Sequence, residues 1–275
     1  MSATLAVRRG FVDRPDARLY FETCGSGPAL VFAHGLGGNH LSWWQQVPAF
    51  AGRFTCVTFA HRGFAPSSCA TNPPDPADYP GDLAALLDHL AIGRAHLVGQ
   101  SMGGWTAIYF ALAHPQRVRS LTLSASTGPI DVEAGGRALP SIAAWRERVP
   151  AAVAALVAAG GHPATGARML REQPALHHLY HGIGALSGPL DREGLRARLW
   201  AARTLSPDAL AALCLPVLCM AGLEDVVICP QAVQALAAAL PGARFEAFDA
   251  TGHSPYFERG EAFNAHLAAF LETAG

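Results

Sequence analysis

The chain predicts an α/β fold: a mainly parallel sheet of eight strands with helices on both faces and an inserted helical cap. Three observations in the 275 residues lead there. Short apolar runs of strand length alternate with helically spaced stretches through the first half, the pattern of parallel strands joined by crossover helices. From about 129 to 206 that rhythm gives way to Ala-, Arg- and Leu-rich helical stretches punctuated by Pro and Gly, with no convincing strand. The strand pattern then resumes near 216.

The elements can be placed in order. Ala29 to Ala33 (A-L-V-F-A), Thr55 to Ala60 (T-C-V-T-F-A), Ala95 to Gly99 (A-H-L-V-G) and Val118 to Ser124 (V-R-S-L-T-L-S) read as buried strands bounded by Gly, Pro or polar residues. Between them, Tyr79 to Leu90 and Met102 to Ala113 have helical spacing, the second stopped by Pro115. After the insertion, Pro216 to Gly222 and Arg244 to Phe248 are strands with an Ala-rich helix between, and a last helix runs from about Arg259 to Leu271. This divides the chain into a core of 1–128 and 207–275 and a cap of 129–206.

Composition narrows the function. With 51% hydrophobic and 15% charged residues the chain is globular rather than disordered. Every basic residue apart from histidine is Arg, and the formal net charge is −1, so no field of one sign draws in nucleic acid or an anionic membrane. Small, neutral, largely apolar substrates are the expectation. Cys24, Cys56, Cys69, Cys214, Cys219 and Cys229 form no C-x-x-C pair and no metal-finger spacing, which suggests buried free thiols in a reducing compartment. The N-terminal residues do not have the form of a secretory signal, and no apolar run reaches membrane-spanning length, so a cytoplasmic location is expected.

The chemistry-bearing signal is Gly99-Gln100-Ser101-Met102-Gly103-Gly104, directly after an apolar strand and directly before a helix. A serine on so sharp a strand-to-helix turn needs small neighbours two residues before and after it, and its hydroxyl then stands at a helix N-terminus. A serine hydroxyl is a poor nucleophile at neutral pH and needs a base held in one tautomer by a third group. His253, in Thr251-Gly252-His253-Ser254-Pro255, follows the last strand and is the base candidate. Asp225 and Glu224 both follow the preceding strand; adjacent residues at a strand end point in different directions, so one of the two faces the histidine. His34-Gly35-Leu36-Gly37-Gly38 follows the strand Ala29 to Ala33, where glycines let an amide approach a developing oxyanion.

These elements together resemble the α/β-hydrolase superfamily from about residue 18 to residue 272, leaving the cap unmatched. The resemblance implies an eight-stranded sheet and carries over Ser101, Asp225 and His253 as nucleophile, acid and base, with the Leu36 and Met102 amides as the oxyanion hole. It implies no cofactor and no metal. Where members commonly show D-x-R-G-x-G-x-S, this chain has Ala60-His61-Arg62-Gly63-Phe64-Ala65-Pro66-Ser67. The missing carboxylate at Ala60 removes a group that would orient the Arg62 to Ser67 loop.

His34, Gly35, Trp105, Trp145 and Tyr180 are candidate pocket residues, the aromatic ones suited to an apolar acyl or alcohol group. His177, His178 and His181 have helical spacing but read as polar cap surface rather than a metal site. The expected activity is cleavage of a small carboxylic ester or lactone through an acyl-enzyme. The same triad also serves carbon–carbon bond hydrolysis, perhydrolysis or acyl transfer, and a binding receptor with a vestigial triad is a third class.

Overall fold

The structure, a computed structural model, describes residues 6–274. Its strands are β1 (Val7–Asp13), β2 (Ala17–Cys24), β3 (Ala29–Ala33), β4 (Thr55–Phe59), the two-residue β5 (Ser68–Cys69), β6 (Ala95–Gln100), β7 (Val118–Ser124), β8 (Val217–Gly222) and β9 (Arg244–Phe248). They form one open sheet in the order β1-β2-β4-β3-β6-β7-β8-β9, with β5 paired to β2. From β4 onward the neighbours are parallel, while β1, β2 and β4 pair antiparallel at one edge.

Helices cover both faces. In chain order they are α1 (Gln46–Phe50), α2 (Tyr79–His89), α3 (Gly103–Ala113), α4 (Pro140–Ala158), α5 (Ala167–Glu172), α6 (Pro174–Ala185), α7 (Arg192–Ala201), α8 (Pro207–Ala211), α9 (Pro230–Ala239), α10 (Pro255–Glu258) and α11 (Gly260–Thr273). Strand alternation sorts side chains between two cores. Val31, Leu97, Cys219 and Ala221 face one core with Leu83, Leu86, Ile108, Val233 and Leu236 of α2, α3 and α9. Leu30, Phe32, Val98, Leu218 and Met220 face the other, with Phe50 of α1 and Phe263, Leu267 and Phe270 of α11.

Between β7 and β8 the chain leaves the sheet. The way out and the way back meet at a single bridge between Ile130 and Leu205, where Asp131 N–H donates to Leu205 O (2.7 Å) and Leu205 N–H to Pro129 O (3.1 Å). Helices α4 to α7 lie within this excursion. Leu195 and Leu199 of α7 pack with Met102, Trp105 and Phe64, which brings the excursion over the carboxyl ends of the central strands.

All six cysteines are free. Four are buried, but Cys69 is half-buried and Cys214 is exposed, which corrects the expectation of burial for those two. Among the described residues no helix is long and apolar enough to cross a membrane.

Candidate active site

Strand β6 ends at Gln100, and the chain turns sharply into α3 through Ser101. Ser101 has φ +48, the left-handed region that costs a residue with a Cβ about 1–2 kcal/mol. The turn survives because its surroundings over-determine it. Ser101 N–H donates to Ser124 O (3.0 Å), Ser101 O accepts from Gly104 N–H (2.9 Å), and Ser126 Oγ donates to the same carbonyl (2.7 Å). A Cβ at Gly103 would collide with the Ala33 carbonyl, and one at Gly99 with backbone of Gly103. That close approach explains the glycines on either side of the serine.

Asp225 stands just after β8 and is 2% exposed, whereas its neighbour Glu224 points to solvent. Its Oδ1 accepts from the amides of Val227 (2.7 Å) and Ile228 (2.9 Å), leaving Oδ2 to face His253 Nδ1 at 2.8 Å. A carboxylate at Nδ1 places the ring proton there, so in the neutral imidazole Nε2 is left with its lone pair. His253 is itself buried, and its carbonyl accepts from Gln100 Nε2 (3.1 Å), the residue next to Ser101.

Ser101 and His253 line one cavity of about 450 Å³ between the sheet edge and the helical excursion. Leu36, Met102, Trp105 and Tyr180 share its wall; His34, Gly35 and Trp145 do not. His34 is turned inward beneath the loop, its Nδ1 2.8 Å from Gly35 O and its Nε2 accepting from His61 N–H (3.0 Å). At Gly35 a Cβ would meet the side chain of Gln100. Trp145 instead lies behind the acid, where its indole N–H donates to Asp225 O (2.9 Å). Among the described residues the amides of Leu36 and Met102 have no hydrogen-bond acceptor.

The sequence of residues 28–159 matches a family model described as the alpha/beta hydrolase fold. A protein named "Putative carbamate hydrolase RutD" from Caulobacter sp. (strain K31) is 30% identical over 268 residues, 92% of this chain and 95% of that one. The chain belongs to the α/β-hydrolase superfamily. A second member, "Putative non-heme bromoperoxidase BpoC" of Mycobacterium tuberculosis (strain CDC 1551 / Oshkosh), is 31% identical over 92% of this chain and 97% of its own. Among solved structures, "Est816 as an N-Acyl homoserine lactone degrading enzyme" superposes with a TM-score of 0.77 at 27% identity, covering 95% of this chain and all of that one.

This α/β-hydrolase anchors its Arg62 to Ser67 loop without a carboxylate at position 60. The Arg62 guanidinium, 2% exposed, makes a bidentate pair with Asp82 (2.6 and 2.7 Å) and reaches Asp78 (2.7 Å) and Asp16 (2.9 Å) through Nη1. Hydrogen bonding to Asp82 holds its pKa above the usual arginine value despite burial. Ser67 Oγ donates to Ala60 O (2.7 Å) and accepts from Tyr20 N–H (2.8 Å), so the loop is closed at both ends.

Two further sets of residues escaped the sequence reading. Glu258, 2% exposed, accepts from the amides of Gly252 (3.1 Å), Ser254 (3.3 Å) and Gly166 (2.9 Å), tying the loop that carries His253 to the helical excursion. Burial nonetheless raises its pKa, against the pull of those amides. Of the histidines expected at the surface, His177 is buried and meets exposed His181 edge-on (4.6 Å between centroids), which in turn meets His162 (5.1 Å) at the cavity wall. The signal for Glu258 was a carboxylate five residues beyond His253 in an otherwise apolar stretch.

Proposed function

We propose that the chain is a serine hydrolase that cleaves a carboxylic ester or lactone through an acyl-enzyme, with residues 129–206 as its cap. The observation that carries this reading is the strained Ser101 opening into the same cavity as His253, whose Nδ1 is held by Asp225. His253 Nε2 takes the Ser101 proton as Oγ attacks the carbonyl carbon. The Leu36 and Met102 amides receive the oxyanion, each such donor typically contributing about 3–4 kcal/mol to the transition state. The tetrahedral species collapses, His253 gives its proton to the departing alcohol, and water repeats the sequence to free the acid and Ser101. In a lactone the departing alcohol stays tethered to the product.

The relative named a bromoperoxidase favours one variation, in which hydrogen peroxide takes the place of water in the second half and releases a peracid. Both routes share the acyl-serine. Turnover of short-acyl p-nitrophenyl esters is expected to fall by about 10³-fold or more in Ser101→Ala, with stability changed by less than about 1 kcal/mol. A fluorophosphonate is expected to add to Ser101 alone. Undiminished turnover in the variant, or an adduct mapped by mass spectrometry to another serine, overturns the mechanism.

A further inference from the structure

The cavity is apolar over much of its wall, and apart from the neutral Tyr180 phenol its ionisable groups are all bases. Trp105, Leu199, Val227 and Ile228 supply apolar surface. On the cap side, Arg192 and Arg196, one helical turn apart on α7, line the same space. With them stand His162, His181 and His253, and among the described residues no Asp or Glu lines this cavity.

Several arginines elsewhere in the protein are paired with carboxylates: Arg62 with three aspartates, Arg53 with Glu272, Arg117 with Asp88, Arg168 with Glu172. Among the described residues neither Arg192 nor Arg196 has a carboxylate partner. Arg192 donates one N–H to Gly184 O (3.1 Å), which fixes the side chain while leaving its charge uncompensated. His162 beside them is held down to about 4, chiefly by burial, then by His181, His177 and His253, with Arg192 adding least. A chain with a formal net charge of −1 has therefore placed two uncompensated guanidinium groups against the cavity that holds Ser101.

We infer that the substrate is an anion: an ester or lactone carrying a carboxylate, which Arg192 and Arg196 receive while its acyl carbonyl lies at Ser101. Guanidinium is the group that matches a carboxylate with paired N–H donors; Arg192 is half-buried and Arg196 exposed at the cavity mouth, so Arg192 is the less screened of the two. Between the charged end and the reacting carbonyl, Trp105 and Leu199 take a short hydrocarbon spacer. A cavity of this volume has room for such a molecule. This replaces the neutral substrate expected from overall charge, and it rests on the serine-hydrolase reading above.

The test compares 4-nitrophenyl hydrogen glutarate, a monoanion, with neutral 4-nitrophenyl pentanoate. The parent protein is expected to favour the monoanion by about tenfold or more in kcat/KM, a preference that weakens as salt is added. In Arg192→Gln/Arg196→Gln, and to a lesser degree in Arg196→Gln alone, the ratio of the two kcat/KM values falls by about tenfold, carried by KM. A ratio near one in the parent, or one that the variants leave unmoved, overturns the inference while leaving the serine mechanism standing. A merely structural role for the arginines lowers both esters alike and keeps the ratio. Calorimetry of Ser101→Ala with 4-nitrophenyl hydrogen glutarate separates binding from turnover. Arginine-dependent binding without hydrolysis in the parent supports the anion site and sinks the serine mechanism; no binding sinks the anion site.

Discussion

Lowering the pH from 7.5 to 5.0 is expected to remove about 4 kcal/mol of stability through His34 and His61 alone. His34 is fully buried, and burial holds its imidazole down to about 3. His61, 2% exposed, is pushed the same way by burial and then by His34 beside it. Burial is the main reason that neither ring accepts a proton easily, and at His34 it works against the Gly35 hydrogen bond. The Gly35 carbonyl fixes the proton of His34 on Nδ1, and Nε2 already receives the His61 backbone N–H (3.0 Å), so an added proton would set donor against donor. His61 Nε2 meets Thr106 Oγ1 at 2.8 Å. Unfolded, both residues titrate near 6.5, so the stability they contribute is complete above that pH and is lost as the pH falls toward the depressed native values. At pH 5.0 the unfolded chain has gained about 1.5 pH units of proton binding per histidine, or about 2 kcal/mol each.

Replacing His61 by Phe isolates one of the two. Phe59, Phe64 and Tyr79 surround the ring with centroids at 4.8, 6.2 and 4.9 Å, so an aromatic side chain fits. The variant loses the bond to Thr106 and starts about 1–3 kcal/mol less stable. Its further loss between pH 7.5 and 5.0, read from urea titrations of tryptophan fluorescence, shrinks by about 2 kcal/mol relative to the parent. An unchanged pH-dependent loss refutes the reasoning, whatever the variant's absolute stability.

The other expectations concern groups that brace the site. Arg62→Lys keeps a charge but cannot pair in bidentate fashion with Asp82, leaving a buried carboxylate under-compensated; scanning calorimetry should show about 3 kcal/mol lost, or roughly 5 °C in Tm. A shift within 1 °C, roughly the scatter of a neutral surface change, rules out that anchor. Glu258→Gln sets an amide N–H₂ against the amides of Gly252, Ser254 and Gly166; kcat on a short-acyl ester is expected to drop about tenfold with about 2 kcal/mol of stability. Lost stability with kcat intact means that Glu258 braces the cap junction and does not position His253.

How much of this could be read in the sequence follows from where each element sits. Central parallel strands are buried on both faces and become uninterrupted apolar runs, so the bounds expected for β3 and β7 coincide with those observed, and β4, β6 and β8 differ by one residue; β9, at the edge and only partly buried, also coincides. β1 was not legible: at the sheet edge, Val7, Arg8 and Arg9 are exposed and Gly10 interrupts the pattern. Ser101, Asp225 and His253 were legible because each follows a strand, and parallel strands deliver their C-terminal ends to one rim. Arg62 was not, since its partners are gathered from two distant segments, Asp16 before β2 and Asp78 and Asp82 at the start of α2. In the cap, Arg192, Arg196 and Arg198 all fit a helix surface, and only docking of Leu195 and Leu199 onto Trp105 and Met102 decides which face the cavity. Trp145 fails for the same reason, its indole being drawn to the Asp225 carbonyl rather than to the cavity.

The cap junctions coincide with the two loops on which the proposed chemistry depends. Ser187 Oγ donates to Gly38 O (2.9 Å), and Asn39 Nδ2 donates to Ile183 O (2.8 Å) and Ser187 Oγ (3.2 Å), fixing the Leu36 loop against the end of α6. On the other side, Gly166 shares Glu258 with the His253 loop, and Ser254 Oγ donates to Ala164 O (2.8 Å). Displacing the helical excursion therefore strains both the Leu36 loop and the His253 loop, so on the proposed mechanism wholesale opening is coupled to loss of the catalytic arrangement. Arg196 belongs to neither junction, and Arg192 touches the first only through its hydrogen bond to Gly184 O (3.1 Å); their helix packs on Trp105 and Met102 through Leu195 and Leu199. On the proposed mechanism, a change at Arg196 should therefore alter substrate choice while leaving Ser101, His253 and Asp225 in place.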